Sequence, residues 1–153
     1  MNNLTVVRAT PLHIDTVLDL VDRLLTELSD ESSLFANTDR AKIVAEVSAA
    51  ADRWTAFLAV DGDVPIGVIT TTEAVAAYAG GRYGIITELY IDPAYRSRGV
   101  GAQLLAAVRA EGESRRWPRI EVTAPPDARW DRSVAFYERN GFIFTGRKLK
   151  LLL

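Results

Sequence analysis

The chain has 153 residues, 48% hydrophobic and 25% charged, with a formal net charge of −2. This supports one domain with a real core, expected over residues 1–153, and gives no general attraction for polyanions, so nucleic acid is not an expected partner. There is no cysteine and His13 is the single histidine, so no disulfide, thiol nucleophile or metal site is expected.

Val6-Val7-Arg8 reads as a short first strand. Thr10-Pro11 opens a helix, with Thr10 as cap and Pro11 in the first turn. Leu18, Val21, Leu25 and Leu28 recur on one helical face. Ser29 to Thr38 is a polar break containing Phe35, and Asp39 to Asp52 reads as a second helix through Ile43, Val44 and Val47. Trp54 to Val60 is a strand apolar on both faces. Asp61-Gly62-Asp63 is a hairpin turn, and Ile66 to Thr72 returns as the next strand. Ala74 to Arg82 reads as a loop or brief helical turn before a long strand, Tyr83 to Ile91.

Gly99 to Arg115 is a helix with Val100, Leu104 and Val108 on its inner face. Ile120 to Thr123 is a strand and Pro125-Pro126 a loop. Trp130 to Asn140 is a helix stopped by Gly141. Phe142 to Thr145 and Lys148 to Leu153 read as a final strand pair around Gly146. Clustered strands flanked by helices predict an α/β domain: a mixed central sheet with helices on both faces. No window is long and apolar enough to cross a bilayer, and Met1-Asn2-Asn3-Leu4 begins no basic-then-apolar leader. A cytoplasmic location without a membrane partner is therefore expected.

The most informative stretch is Arg96-Ser97-Arg98-Gly99-Val100-Gly101, between the long strand and a helix. Glycines let backbone approach a ligand closely. The first N–H groups of a helix lack internal acceptors and sit at the positive end of its dipole, so the turn is an anion cradle. Arg96 and Arg98 add charge, and Arg115, Arg116 and Arg119 are expected to extend a basic region near it. It is not a P-loop, lacking Gly-Lys-Ser/Thr. Nor is it a dinucleotide fingerprint, since Leu104 stands where the third glycine would be.

Read as Arg-x-x-Gly-x-Gly after a strand ending in Asp92-Pro93, the stretch resembles the pyrophosphate loop of the GNAT superfamily of acetyl-CoA-dependent N-acetyltransferases. A second motif, Ser133 to Phe142 with Phe136-Tyr137 and Gly141-Phe142, is similar to the other GNAT signature. The resemblance covers nearly the whole chain and is strongest over 88–101 and 130–142. Two departures stand out: Trp130 and Ser133 occupy positions where many members have Asn and Ala.

The resemblance implies a GNAT fold with a splayed parallel strand pair and acetyl-CoA as cosubstrate. It implies that the backbone of Leu89, Tyr90 and Ile91 bonds the pantetheine arm, with the Ile91 N–H beside the thioester oxygen. Arg96, Ser97, Arg98, Gly99, Val100, Gly101 and Ala102 would hold the pyrophosphate, and Ser133 and Phe136 would line the arm. Tyr137 is the candidate general acid, or else a core tyrosine beside Phe136. Glu88, a carboxylate inside an apolar strand, is the candidate base, or else a salt-bridged strand end, with Glu73 as the weaker alternative. Direct attack by the amine in a ternary complex is the economical route for a chain without cysteine.

The acceptor is expected to be a small amine (an amino acid, polyamine or aminated natural product), with a protein N-terminus or lysine as the alternative. Glu27, Glu31, Glu73 and Glu88 would favour a cationic one, in a pocket built by Leu28–Thr38 and Ala74–Tyr83. A non-catalytic acyl-CoA sensor would keep the loop without needing Glu88 or Tyr137. The apolar end, Leu149 to Leu153, suggests a covered strand and raises a homodimer.

Overall fold

The computed structural model describes residues 3–29, 39–125 and 128–153. The elements are β1 (Leu4–Arg8), α1 (Ile14–Ser29), α2 (Arg40–Ala49), β2 (Trp54–Asp61), β3 (Val64–Ala76), β4 (Gly81–Ile91), α3 (Val100–Arg115), β5 (Ile120–Val122) and α4 (Asp131–Arg139). Short 3-10 turns precede α1 and α4 and follow β3 and β4. The five strands lie in the order β1-β2-β3-β4-β5. The first four are antiparallel and β4 runs parallel to β5.

Residues of β2 and β3 feed two cores, by alternation along β2 and with a register shift after Ala59 where β3 begins its pairing. Phe57, Ala59, Ile66 and Ile69 cluster with Val100, Leu104, Leu105 and Val108 of α3. Ala56, Leu58 and Val68 cluster with Val17, Leu20 and Val21 of α1, and with Tyr90. This is the expected mixed sheet covered on both faces.

The helix starts follow local chemistry. The Thr10 N–H donates to His13 Nδ1 at 2.9 Å, which makes the single histidine a capping residue. Asp39 caps α2 by accepting from the N–H groups of Ala41 and Lys42 at 3.0 and 3.3 Å.

One expectation holds in part and one fails. The brief helical turn expected within Ala74–Arg82 is present but confined to Ala77–Ala79, because β3 runs on to Ala76 and β4 starts at Gly81. Pairing across the hairpin (Ala74 with Tyr83, Val75 with Arg82) overrides the weak strand preference of alanine. The final strand pair does not form. Residues 142–153 carry no regular structure, and Ile143, Phe144, Leu149, Leu151, Leu152 and Leu153 are exposed. They pair with none of the five strands, and β5 itself pairs with β4 over only three residues. Of the expected polar break Ser29–Thr38, Ser29 ends α1, and residues 30–38, with Glu31 and Phe35, lie outside the described residues, as does Pro126.

Candidate active site

The site is organised around β4. It pairs with β5 only at Gly84, Ile85 and Ile86, while it stays paired with β3 up to Ile91. From Thr87 to Ile91 the β5-side edge is therefore open among the described residues. The Asp92 N–H donates to the Ile66 carbonyl of β3 at 2.8 Å. Backbone groups alternate in direction along an antiparallel strand, so the N–H groups of Leu89 and Ile91 face the open edge. The Ile91 carbonyl on that edge already accepts from Arg96 Nε at 2.8 Å.

Beyond β4, Asp92 caps the Pro93–Tyr95 turn through the Ala94 N–H at 2.9 Å. Ser97 and Gly99 then take positive φ values of 61° and 80°. Gly99 sits at the start of α3 with no side-chain cap, so the N–H groups of the first turn lack that acceptor. A Cβ on Gly99 would meet nothing within 4 Å, which leaves the cradle open.

Gly101 has a different role. A Cβ there would stand 3.1 Å from the Phe136 ring and 3.2 Å from Ile91, so the glycine lets Phe136 of α4 and Ile91 of β4 pack closely on α3. Val100 is core, Ala102 is exposed in the first turn of α3, and Ser133 is half-buried one turn before Tyr137.

The charges differ from the sequence reading. Arg96 does not stand free beside the turn: it holds Glu27 of α1 at 2.7 and 3.0 Å and lies over the Tyr90 ring at 5.7 Å. Arg115 and Arg116 are not near the cradle, since they end the 16-residue α3, roughly 20 Å away. Arg115 pairs with Glu111 and Glu73 there, and Arg119 with Glu121. The cations at the loop are Arg98, over Tyr95 at 5.6 Å, and Arg132 of α4, which donates to Ser97 Oγ at 3.4 Å. Arg132 was missed. Its one sequence signal is its place one helical turn before Phe136, the residue that packs α4 on the loop helix.

Tyr137 is 8% exposed, with the Phe136 and Phe142 rings edge-on at 5.3 and 5.4 Å. Burial pushes its phenol up to about 12, so it stays protonated across the neutral range. Phe136 and Phe142 both pack with the α3-side core, which puts α4 on that side of the sheet.

Glu88 lies on the opposite face. A β-bulge separates Thr70, opposite Glu88, from Thr71, opposite Ile86, and leaves Thr87 unmatched. The bulge turns Ile86 to the α3 core while Glu88 lines a cavity on the α1 side. Glu88 Oε2 accepts from the Thr70 hydroxyl and from Thr87 Oγ1 at 2.6 Å, and the Glu88 N–H donates to Thr70 Oγ1 at 3.0 Å.

The cavity beside Glu88 has a volume of about 140 Å³. Its walls are Leu18, Val21 and Leu25 of α1, Ile43 and Val47 of α2, and Trp54 of β2, with Thr70 and Glu88 at its floor. Ala74–Tyr83 does not line it. Glu73 is also not in it: this carboxylate faces α3's end, accepting from Trp117 Nε1 at 2.7 Å and pairing with Arg115 at 3.5 Å. Among the described residues, Glu88 is the carboxylate in this cavity.

The sequence profile of the acetyltransferase (GNAT) domain matches residues 52–144, from the strand before the cavity through the Phe-Tyr helix. The chain belongs to the GNAT acetyltransferase family. Solved structures agree on the fold of this GNAT chain. A GCN5-related N-acetyltransferase from Ralstonia eutropha JMP134 superposes with a TM-score of 0.82 at 17% identity, covering 98% of this chain and 99% of that one. A predicted acetyltransferase from Clostridium acetobutylicum, solved with acetyl-CoA, has a TM-score of 0.79 at 20% identity over 97% and 96% of the two chains. An aminoglycoside acetyltransferase from an uncultured soil metagenomic sample has a TM-score of 0.76 at 17% identity over 98% and 95%. No curated protein matches the chain.

Proposed function

We propose that this GNAT chain transfers the acetyl group of acetyl-CoA to a small primary amine, by direct attack while both substrates are bound. One observation carries the proposal. The open edge of β4 ends at the anion cradle, with a buried tyrosine helix on one side of the sheet and the Glu88 cavity on the other.

The residues present fit acetyl-CoA. Gly99 has open space where a Cβ would stand, and the loop cations Arg98 and Arg132 are beside it for the phosphates. The Leu89 and Ile91 N–H groups offer the pantetheine arm a strand-like partner. Acetyl-CoA supplies the activated acyl group. In this reading the Ile91 N–H donates to the acyl oxygen, an interaction of a kind worth roughly 2.7–4 kcal/mol elsewhere.

Glu88 Oε2 is engaged by two threonine hydroxyls, so the proton of an incoming ammonium is assigned to Oε1. Tyr137 holds the proton that the departing sulfur takes. A phenol at about 12 and an ordinary thiol near 8.5 are mismatched in water. Burial in apolar surroundings raises a thiol as well, and the difference between the two, rather than the phenol value alone, sets the cost.

The test is steady-state turnover of purified protein with acetyl-CoA and a panel of amines, following free thiol. Amine-dependent thiol release is expected. Tight acetyl-CoA binding without turnover on any amine would make the chain a sensor instead.

A further inference from the structure

We infer that the acceptor is a monoamine with a compact apolar body, about the size of one aromatic ring. The inference rests on the acetyl-transfer reading and names the substrate class of the same site. The cavity beside Glu88 is lined by Leu18, Val21, Leu25, Ile43, Val47 and Trp54, none of which offers a charge or a hydroxyl. Its polar floor has little left to give. Thr70 Oγ1 donates to Glu88 and accepts the Glu88 N–H, and Thr87 Oγ1 donates to the same carboxylate oxygen. Glu88 Oε1 is the one polar atom of the floor without a protein partner among the described residues.

The surrounding charges narrow the class further. A polyamine or aminoglycoside carries several cations and needs several carboxylates. Among the described residues, Glu27 is held by Arg96, Asp19 and Asp15 by Arg40, and Glu73 lies on the other face of the sheet. An amino acid would bring its own carboxylate next to Glu88, no cation lines the cavity among the described residues, and Arg96 and Arg40 already have carboxylate partners. Hydroxyls placed against Leu18, Val21 and Ile43 would lose their water partners without replacement. An apolar body loses nothing there and gains burial. The volume agrees: about 140 Å³ is close to the roughly 150 Å³ of an engineered apolar cavity that binds benzene.

The experiment compares kcat/KM for 2-phenylethylamine and isoamylamine with that for spermidine, kanamycin and glycine, at saturating acetyl-CoA. It adds calorimetric binding of 2-phenylethylamine and the variant Val47→Phe, which fills the cavity from α2, a helix with no fully buried residue. The expected result is at least about a tenfold preference for the two apolar amines. Val47→Phe should lower kcat/KM for 2-phenylethylamine and leave the acetyl-CoA dissociation constant unchanged. Preference for spermidine, kanamycin or glycine would overturn the inference while leaving acetyl transfer intact. So would equal losses on every amine in Val47→Phe. If no amine turns over, the acetyl-transfer reading fails on its own. Binding of 2-phenylethylamine that disappears in Val47→Phe would still support the cavity's assignment, and absence of binding would overturn it.

Discussion

The two faces of the sheet are built to different standards. On one, α3 buries Val100, Leu104, Leu105 and Val108 against Phe57, Ile66 and Ile69, and α4 adds Phe136 against Gly101. On the other, α1 packs closely but α2 contributes no fully buried residue, and a cavity of about 140 Å³ remains under it. A close-packed face holds its groups rigidly, while an unfilled one can admit a ligand. The cradle and Tyr137 belong to the first face, and Glu88 and the amine cavity to the second. The difference therefore predicts a division of labour: changes on the α3–α4 side should act on acetyl-CoA or on proton donation, and changes on the α1–α2 side on the amine.

Tyr137→Phe should have the largest effect. It keeps the ring contacts with Phe136 and Phe142 and removes the hydroxyl, and general acid catalysis is typically worth about 10²–10⁴-fold. Turnover should fall by that order with the acetyl-CoA dissociation constant and the amine KM nearly unchanged. Full activity would return Tyr137 to the core. The raised phenol gives a second readout. The folded state keeps this proton up to about pH 12, whereas the unfolded chain loses it near 10, so stability falls as pH rises above 10. Denaturant unfolding of Tyr137→Phe should show a shallower loss over that window.

Glu88→Gln comes next and tests the other face. It preserves shape and removes the base, and the rate at neutral pH should fall by about 10² with acetyl-CoA binding intact. Raising pH should recover part of the loss, because solvent then delivers more neutral amine. A defect constant across pH, or one confined to the amine KM, would make Glu88 an anchor for the ammonium instead of a base. Glu73 is no substitute in either case, since it lies across the sheet under Trp117 and Arg115.

Much of the α3 side was legible in the sequence because its chemistry is local. Glycine at a helix start, arginines beside it and a Phe-Tyr helix closed by Gly141 are all written in consecutive residues. The rest depends on contacts between distant positions. Nothing near Arg96 announces Glu27 of α1, and nothing near Arg115 says that a helix carries it away from the cradle. The bulge at Thr87 shifts the alternation of β4, which a strict period of two along Ile85–Ile91 conceals. Ile43 and Val47 read as an ordinary amphipathic face, and only the fold shows that this face covers a cavity. The Lys148–Leu153 alternation reads as a strand, but a strand needs a partner, and these residues pair with none of the described strands.

Gly99→Asp should have a smaller effect, confined to acetyl-CoA. The site has open space around a Cβ and a φ of 80°, a conformation that aspartate tolerates better than most residues. The fold should survive, and the new charge at the N-terminus of α3 should weaken acetyl-CoA binding by at least about tenfold, or about 1.4 kcal/mol. Unchanged binding in a folded Gly99→Asp protein would remove the phosphates from this loop. Gly101→Asp makes a poorer test, because its side chain would be driven into Phe136 and Ile91 and would disturb packing.

The smallest effect belongs to Asp39→Ala. Asp39 touches neither the cavity nor Glu88. It accepts from the N–H groups of Ala41 and Lys42, and losing such a cap costs about 0.5–2 kcal/mol of helix stability. The loss should be felt locally, because α2 has no fully buried residue to hold it once the cap is gone. What remains is its ion pairing to α1, where Arg40 meets Asp19 at 2.9 Å. A frayed α2 loosens Ile43 and Val47, two walls of the amine cavity, while β4, the cradle and Tyr137 stay in place. The expected outcome is a severalfold rise in amine KM, with kcat and the acetyl-CoA dissociation constant close to those of the parent. Hydrogen exchange should show faster opening of 40–49 and no change in 100–115. Equal losses in both substrates would mean that the two faces are coupled through the sheet. An unchanged amine KM, with α2 demonstrably frayed, would take the amine out of this cavity altogether.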